Sequence, residues 1–214
     1  SWRREEGIVR GCLDGGGDGG EYPRGHRDMA NVGCFLRVKG AELAGKQGVS
    51  EWMWTVSRGS EWREGDEIRI SEDEEAALLL PALQLRDLHG VKVVKVPLLD
   101  DADQQVAAVE ERLGARTKLL ALSHVTTDLG FRLPVEKICR AASERGVLSF
   151  LDMAHSAGLY EMNLRELGCD FAGLLSYKWM YSPYAAGLLY VRGEKLEALR
   201  VHYAGGRAEA RLDF

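Results

Sequence analysis

The sequence lacks the features that mark several classes of protein. None of its apolar runs approaches the ~20 residues that span a bilayer, and the charged opening, Ser1–Glu6, precedes no apolar core of a secretory signal. Positive charge is not in excess either, because 28 Lys and Arg stand against 33 Asp and Glu, a formal net charge of -5. A nucleic-acid binder needs clustered positive charge. The composition therefore predicts a cytoplasmic protein that binds neither nucleic acid nor membrane.

Cysteine is scarce and scattered. The four cysteines, at positions 12, 34, 139 and 169, show no CxxC or Cys/His spacing of the kind that indicates a metal site or a disulfide framework. We therefore expect no bound metal, and reduced thiols that are mostly buried.

The first sixty residues show little regular patterning. Residues 1–30 are rich in glycine and charge, which predicts a flexible segment. Cys34–Val38 is a candidate short strand, and Gly40–Lys46 comes within one residue of a phosphate-binding P-loop. Gln47 stands where a P-loop needs a hydroxyl for magnesium, so a glycine-rich turn is favoured. A P-loop-like nucleotide binder is kept as an alternative.

From Glu61 onward, strand-like and helix-like patterns alternate. Short connections join them, which predicts an α/β fold with a mostly parallel sheet covered by helices. The predicted strands are 68–70, 91–97, 118–125, 147–151 and 171–175, and the predicted helices are 74–89, 103–113 and 134–145.

Two of the predicted strands end in chemically active side chains. The strand 147–151 leads to Asp152 and His155, and the strand 171–175 leads to Ser176 and Lys178. In an open α/β sheet the carboxyl ends of the strands face the ligand crevice. An acid and a lysine at two such ends suit a cofactor that carries a basic ring nitrogen and an aldehyde.

These motifs resemble the class V aminotransferase family, which includes cysteine desulfurases and isopenicillin N epimerase-like proteins. The resemblance runs from about residue 61 to residue 214, through GDEI, VKVVKVPL, SHVTTDLGFRLP, LDMAHSAG and LLSYKWMYSPYAAGLLYVR. It implies the three-layer α/β/α large domain of pyridoxal-phosphate enzymes, a bound pyridoxal 5'-phosphate, an amino-acid substrate and a homodimer. It leaves residues 31–60 without a match, and the domain looks incomplete because family members are longer.

The resemblance also implies roles for individual residues. Lys178 matches the lysine that forms a Schiff base with the cofactor, and Asp152 matches the aspartate that pairs with the pyridine nitrogen. His155 matches a residue beside the cofactor ring or its phenolic oxygen. Thr127 stands where a side chain often bonds that oxygen, although it reads equally as a turn residue. Ser176 would contact the phosphate, one position away from the family's usual residue.

Three departures accompany these matches. Tyr177 replaces the family's histidine before the lysine, and Glu75 stands where an aromatic residue or histidine would stack on the cofactor ring. No phosphate loop is recognisable before the GDEI turn, and the substrate-binding arginine is expected beyond residue 214. A transferase, an epimerase and a lyase therefore stay open, and the alternative is an inactive fragment that acts as a binding module.

Overall fold

Seven strands form one mixed sheet in a computed structural model that describes residues 23–46, 48–182, 184 and 186–200. The order across the sheet is β1-β7-β6-β5-β4-β2-β3. The pairs among β2 to β6 are parallel, while β7 pairs antiparallel with both β6 and β1. The strands are β1 (Leu43–Lys46), β2 (Glu67–Ser71), β3 (Lys92–Val96), β4 (Thr117–Ser123), β5 (Leu148–Asp152), β6 (Phe171–Leu175) and β7 (Gly187–Val191).

The helices of the described residues connect these strands. Gly90 ends the third helix in the left-handed conformation, with φ 67°, which glycine adopts at little cost. The Asp101 side chain caps the fourth helix by accepting hydrogen bonds from two backbone N–H groups. The helices are α1 (Pro23–Phe35), α2 (Val49–Gly59), α3 (Ala76–His89), α4 (Ala102–Glu110), α5 (Val135–Glu144) and the short α6 (Leu164–Leu167).

The helices cover both faces of the sheet, so the architecture is the predicted three-layer α/β/α arrangement. Neighbouring strand residues alternate between the two faces, and Phe150 and Leu151 accordingly belong to two different apolar clusters. Trp52 of α2 and Leu78 of α3 pack in the cluster of Phe150. Ile138 of α5 packs in the cluster of Leu151. Because both faces are covered, β4, β5 and β6 are almost entirely buried.

The region before residue 61 differs from its predictions. Residues 23–35 form α1, so the predicted strand over residues 34–38 is wrong, and the predicted flexible segment otherwise lies outside the described residues. Gly40–Glu42 form one turn of 3-10 helix, and Leu43–Lys46 form β1, paired with β7. A P-loop would instead place these glycines in a loop between a strand and a helix. The nucleotide-binding alternative therefore has no structural basis.

The cysteines and the membrane prediction can also be compared with the structure. Cys139 and Cys169 are buried free thiols as expected, whereas Cys34 is disulfide-bonded, contrary to the prediction of reduced cysteines. Burial raises the pKa of the Cys139 thiol to about 12 and that of Cys169 well above its ordinary value. Within the described residues, no helix has both the length and the apolar character needed to cross a bilayer.

Candidate functional site

The carboxyl ends of four adjacent parallel strands, β2, β4, β5 and β6, bring the candidate residues to one edge of the sheet. Glu74 and Glu75 follow β2, Ser123 ends β4, Asp152 ends β5, and Lys178 follows β6. The register places Ser123 beside Asp152. Polar side chains from distant parts of the sequence therefore meet in the crevice that this class of sheet uses for ligands.

Asp152 is a buried carboxyl group with a high proton affinity. It is 4% exposed, and one of its oxygens accepts a hydrogen bond of 2.8 Å from the backbone N–H of Ala154. Burial raises its pKa to about 7, and the charges of Glu74 and Glu75 act in the same direction. The Ala154 N–H and the Lys178 charge oppose this rise. A cationic N–H group opposite this carboxyl would stabilise its ionised form.

Lys178 and His155 are in direct contact. Lys178 Nζ lies 2.8 Å from His155 Nε2, although the two residues follow different strands. Burial, and secondarily the charge of Lys178, lowers the pKa of His155, while Glu75 opposes that shift. The imidazole is therefore uncharged at neutral pH, and its Nε2 can accept a hydrogen bond from the lysine amine.

Two glutamates beside these residues occupy different environments. Glu74 accepts hydrogen bonds from the backbone N–H of Ser123 at 2.9 Å and from its hydroxyl at 2.7 Å. Burial raises the pKa of Glu74, and the bonds to Ser123 oppose the rise. Glu75 Oε1 lies 3.8 Å from His155 Nε2. The sequence offered no signal for Glu74, because its contact with Ser123 joins residues 49 positions apart.

The other two sequence candidates are placed differently. The Ser176 hydroxyl donates to the backbone carbonyl of Ala186 at 2.7 Å and accepts from Ser182 at 2.5 Å. These bonds close the loop that carries Lys178. Thr127 is half-buried in the turn after β4, where the N–H of Gly130 bonds the carbonyl of Thr126. Lys178, His155 and Asp152 are thus brought together, while neither Thr127 nor Ser176 has a described hydrogen bond to any of the three.

A helix N-terminus adjoins the same edge of the sheet. α2 begins at Val49 after Gly48, whose backbone nitrogen lies 3.5 Å from where a Cβ on Gly187 would be. Gly187 pairs with Leu175, the last residue of β6. The start of α2 therefore lies beside the loop of Lys178. Free N–H groups and the helix dipole make such an N-terminus favourable for an anion.

Close backbone packing holds the loops of His155 and Lys178 together. Gly158 has φ 89°, and a Cβ at this position would lie 2.7 Å from the carbonyl oxygen of Trp179. Only glycine tolerates both the conformation and the contact. On the other side of Lys178, the rings of Tyr177 and Tyr184 are 4.6 Å apart. Lys178 therefore projects from a loop that is held on both sides.

Comparison with known proteins adds a family model and named relatives. The model described as aminotransferase class-V matches residues 35–214, so the match begins well before the expected residue 61. A probable cysteine desulfurase of Vibrio cholerae is 33% identical over 150 residues, covering 70% of this chain and 37% of that protein. The isopenicillin N epimerase of Streptomyces clavuligerus is 31% identical over 144 residues, covering 64% and 36%. The chain thus spans little more than a third of each relative.

Solved structures resemble the fold. A cysteine desulfurase from Thermococcus onnurineus superposes with a TM-score of 0.80 at 24% identity, covering 94% of this chain and 54% of that one. A cystine C-S lyase superposes with a TM-score of 0.78 at 21% identity, covering 95% and 56%. The latter is a variant with glycine covalently linked to its PLP cofactor. At these identities the likeness establishes the fold.

Proposed function

The chain belongs to the aminotransferase class-V family, and on that premise we propose that it binds pyridoxal 5'-phosphate and uses it to transform an amino acid. The observation that carries this proposal is the meeting of Lys178, His155 and the buried Asp152 at the ends of β5 and β6. When bound, pyridoxal phosphate accepts the electrons left at the substrate Cα after a bond to that carbon breaks.

The residues fit the two ends of the cofactor ring system. Asp152 is buried, and burial raises its pKa to about 7 because the Ala154 N–H and the charge of Lys178 oppose the rise only in part. A protonated ring nitrogen would supply a cationic partner, and Asp152 would in turn keep the nitrogen protonated. Lys178 is the amine for the aldehyde carbon. The N-terminus of α2 offers backbone N–H groups to the phosphate. The Ser176 hydroxyl, by contrast, already bonds Ala186 and Ser182 within its loop.

We assign the proton transfer to Lys178 and the orientation of its amine to His155. Because Lys178 Nζ lies 2.8 Å from His155 Nε2, the uncharged imidazole can accept a hydrogen bond from the amine and hold it in position. The amine can then take the proton that leaves the substrate Cα. Transamination, epimerisation and elimination all use this step. Desulfuration would also need a reactive thiolate, and the raised pKa values of Cys139 and Cys169 make these two buried thiols unsuitable.

We further propose that the enzyme acts in the cytoplasm as a homodimer on an amino acid. Support for the dimer comes from Trp179, Tyr181 and Tyr184, whose side chains are exposed beside the site. Tyr181 is 87% exposed and Tyr184 is 82% exposed. Exposed aromatic groups gathered on one surface are typical of protein interfaces.

The test of cofactor binding is covalent attachment at Lys178. We expect an absorbance band near the visible edge when pyridoxal phosphate is added to the full chain, and we expect borohydride reduction followed by peptide mass mapping to locate the added mass on Lys178. We expect Lys178→Ala to remove the band, because Lys178 is the amine that the proposal assigns to the cofactor aldehyde.

Lys118→Ala serves as the control, because Lys118 is exposed near the amino end of β4, at the opposite edge of the sheet. It should label as the unchanged chain does. A missing band, or a band that survives in Lys178→Ala, would refute the proposed function and favour an inactive binding module.

A further inference from the structure

We propose that Glu75 determines the substrate specificity of the site by favouring an amino acid whose side chain carries a positive charge over one whose side chain carries a negative charge. This inference rests on the proposed function and names its substrate class. Lysine and ornithine represent the favoured class, and glutamate and aspartate represent the disfavoured class.

The first argument is the position of the Glu75 carboxylate. Its Oε1 lies 3.8 Å from His155 Nε2, and the same nitrogen lies 2.8 Å from Lys178 Nζ. Glu75 Oε1 therefore lies no further from Lys178 Nζ than the sum of these two distances. A substrate that exchanges its amino group at Lys178 brings its side chain within reach of this carboxylate through a short alkyl chain.

The second argument is that the charge of Glu75 is not used to cap its helix. It is the residue before the first turn of α3, the position from which side chains commonly cap a helix, yet its side chain makes no capping hydrogen bond. The side chain is 35% exposed. Its carboxylate thus lies beside His155 and stays partly accessible to a ligand.

The third argument is the balance of charge around Glu75. In the described part of the chain, its only ion-pairing contact is with His155, and burial keeps that ring uncharged at neutral pH by lowering its pKa. The ionisable groups that face this region are Glu74 from the same loop, Asp152 from β5, and Tyr177 and Lys178 after β6. Lys178, the only basic side chain among these four, is the group that the proposed function assigns to the cofactor. A cationic side chain would supply the missing partner, whereas an anionic one would be repelled.

The experiment measures binding of three amino acids that differ in side-chain charge but have similar length. L-Ornithine, L-norvaline and L-glutamate are titrated into the full chain loaded with pyridoxal phosphate, and dissociation constants are read from the change in absorbance. For the unchanged chain we expect ornithine to bind about five- to tenfold more tightly than norvaline, and glutamate to bind more weakly by a similar factor, as a partly exposed ion pair allows.

Variants of Glu75 and a matched control isolate the effect of its charge. Glu75→Gln should bring the three dissociation constants to within about twofold of one another, and Glu75→Asp should keep the order because it keeps the charge. Glu64→Gln removes the same charge from an exposed residue before β2, at the other edge of the sheet. It should leave all three constants unchanged, and thermal melting of each variant reports whether folding is intact.

Two results would overturn the inference. One is an unchanged chain that binds the three amino acids equally, and the other is a Glu75→Gln variant that keeps the original order. The second result includes a shift of all three constants by the same factor, as expected if Glu75 acts only on His155. If the absorbance band forms but the dissociation constants give one of these two results, only the specificity inference fails. If the band never forms, the proposed function fails and the inference fails with it.

Discussion

At the scale of single residues, burial of the Asp152 carboxyl group in the sheet makes the stability of the chain depend on pH. Burial raises its pKa to about 7, from an ordinary value of 3.8. The folded chain therefore holds more protons than the unfolded chain between about pH 4 and pH 7, so stability falls as the pH rises through that window. At 1.36 kcal/mol per pKa unit, the upper limit of this loss is about 4 kcal/mol. A ligand that provides a cation would recover part of it.

Asp152→Asn should remove this pH dependence. We expect the variant without cofactor to be more stable than the unchanged chain by about 2–4 kcal/mol at pH 8 and to have nearly equal stability near pH 4. Urea unfolding at a series of pH values measures the difference. Asp128→Asn, in the exposed turn after β4, is the matched control. If the stability of Asp152→Asn and of the unchanged chain varied with pH in the same way, Asp152 would not be the source of this pH dependence.

The residue scale also shows what the sequence could predict about the site. Lys178, Asp152 and His155 could be named as candidates from the sequence because each follows a strongly apolar strand in a distinctive motif, and the structure places them at one edge of the sheet. Glu74 was not, because its role depends on the contact with Ser123 across the sheet. The phosphate contact of Ser176 stays a prediction, but nothing in the sequence indicated that its hydroxyl bonds Ala186 and Ser182. Hydrogen bonds between loops depend on tertiary structure, and local sequence patterns carry no information about them.

At the scale of elements, Gly158 joins the loop of His155 to the loop of Lys178. A Cβ at Gly158 would lie 2.7 Å from both the Trp179 carbonyl oxygen and Met180 Cγ. The backbone oxygen cannot move without moving the Lys178 loop. The site geometry therefore depends on a contact between two connections that follow adjacent parallel strands.

Gly158→Ala should disturb both stability and the position of Lys178. We expect a loss of about 2–4 kcal/mol, from the unfavourable positive φ and from the collision, and a lower yield of borohydride-trapped cofactor. Gly130→Ala is the matched control, since Gly130 also has a positive φ, 70°, but has open space around it. It should lose only about 1 kcal/mol, without a change in trapping. Equal losses in the two variants, measured by urea unfolding, would show that the contact with Trp179 is unimportant.

The elements themselves were predicted unevenly along the chain. From β2 onward each predicted strand and helix is present, because buried parallel strands have continuous apolar runs and their helices have clear periodicity. Before residue 61 the prediction was poor. β1 is four residues long and contains Gly45, and it is a strand because it pairs with β7. α1 lies in a stretch where glycine and charge concealed the helical pattern.

At the scale of the whole molecule, two buried groups give opposite pH dependences. His124 is 2% exposed, and neither ring nitrogen has a hydrogen-bond partner among the described residues. Burial, followed by the charge of Arg132, lowers its pKa to about 4. The unfolded chain thus binds more protons than the folded chain between about pH 4 and pH 6.5, and stability rises with pH there. Asp152 and Glu74 act in the opposite direction, so the two effects offset each other in the unchanged chain.

Removing His124 should therefore reveal the contribution of the carboxyl groups. In His124→Leu we expect stability to fall steadily from pH 4 to pH 7, and in Asp152→Asn we expect it to rise from pH 4 to pH 6.5, by up to about 3 kcal/mol in each case. His124→Leu should also be more stable than the unchanged chain near pH 4, because two buried polar atoms without partners are replaced by an apolar side chain. Urea unfolding of the cofactor-free single variants and of the double variant measures how stability changes with pH. The stability of the double variant should depend less on pH than that of either single variant. Should His124→Leu keep the pH profile of the unchanged chain, the pH response would have to arise from groups other than this buried imidazole.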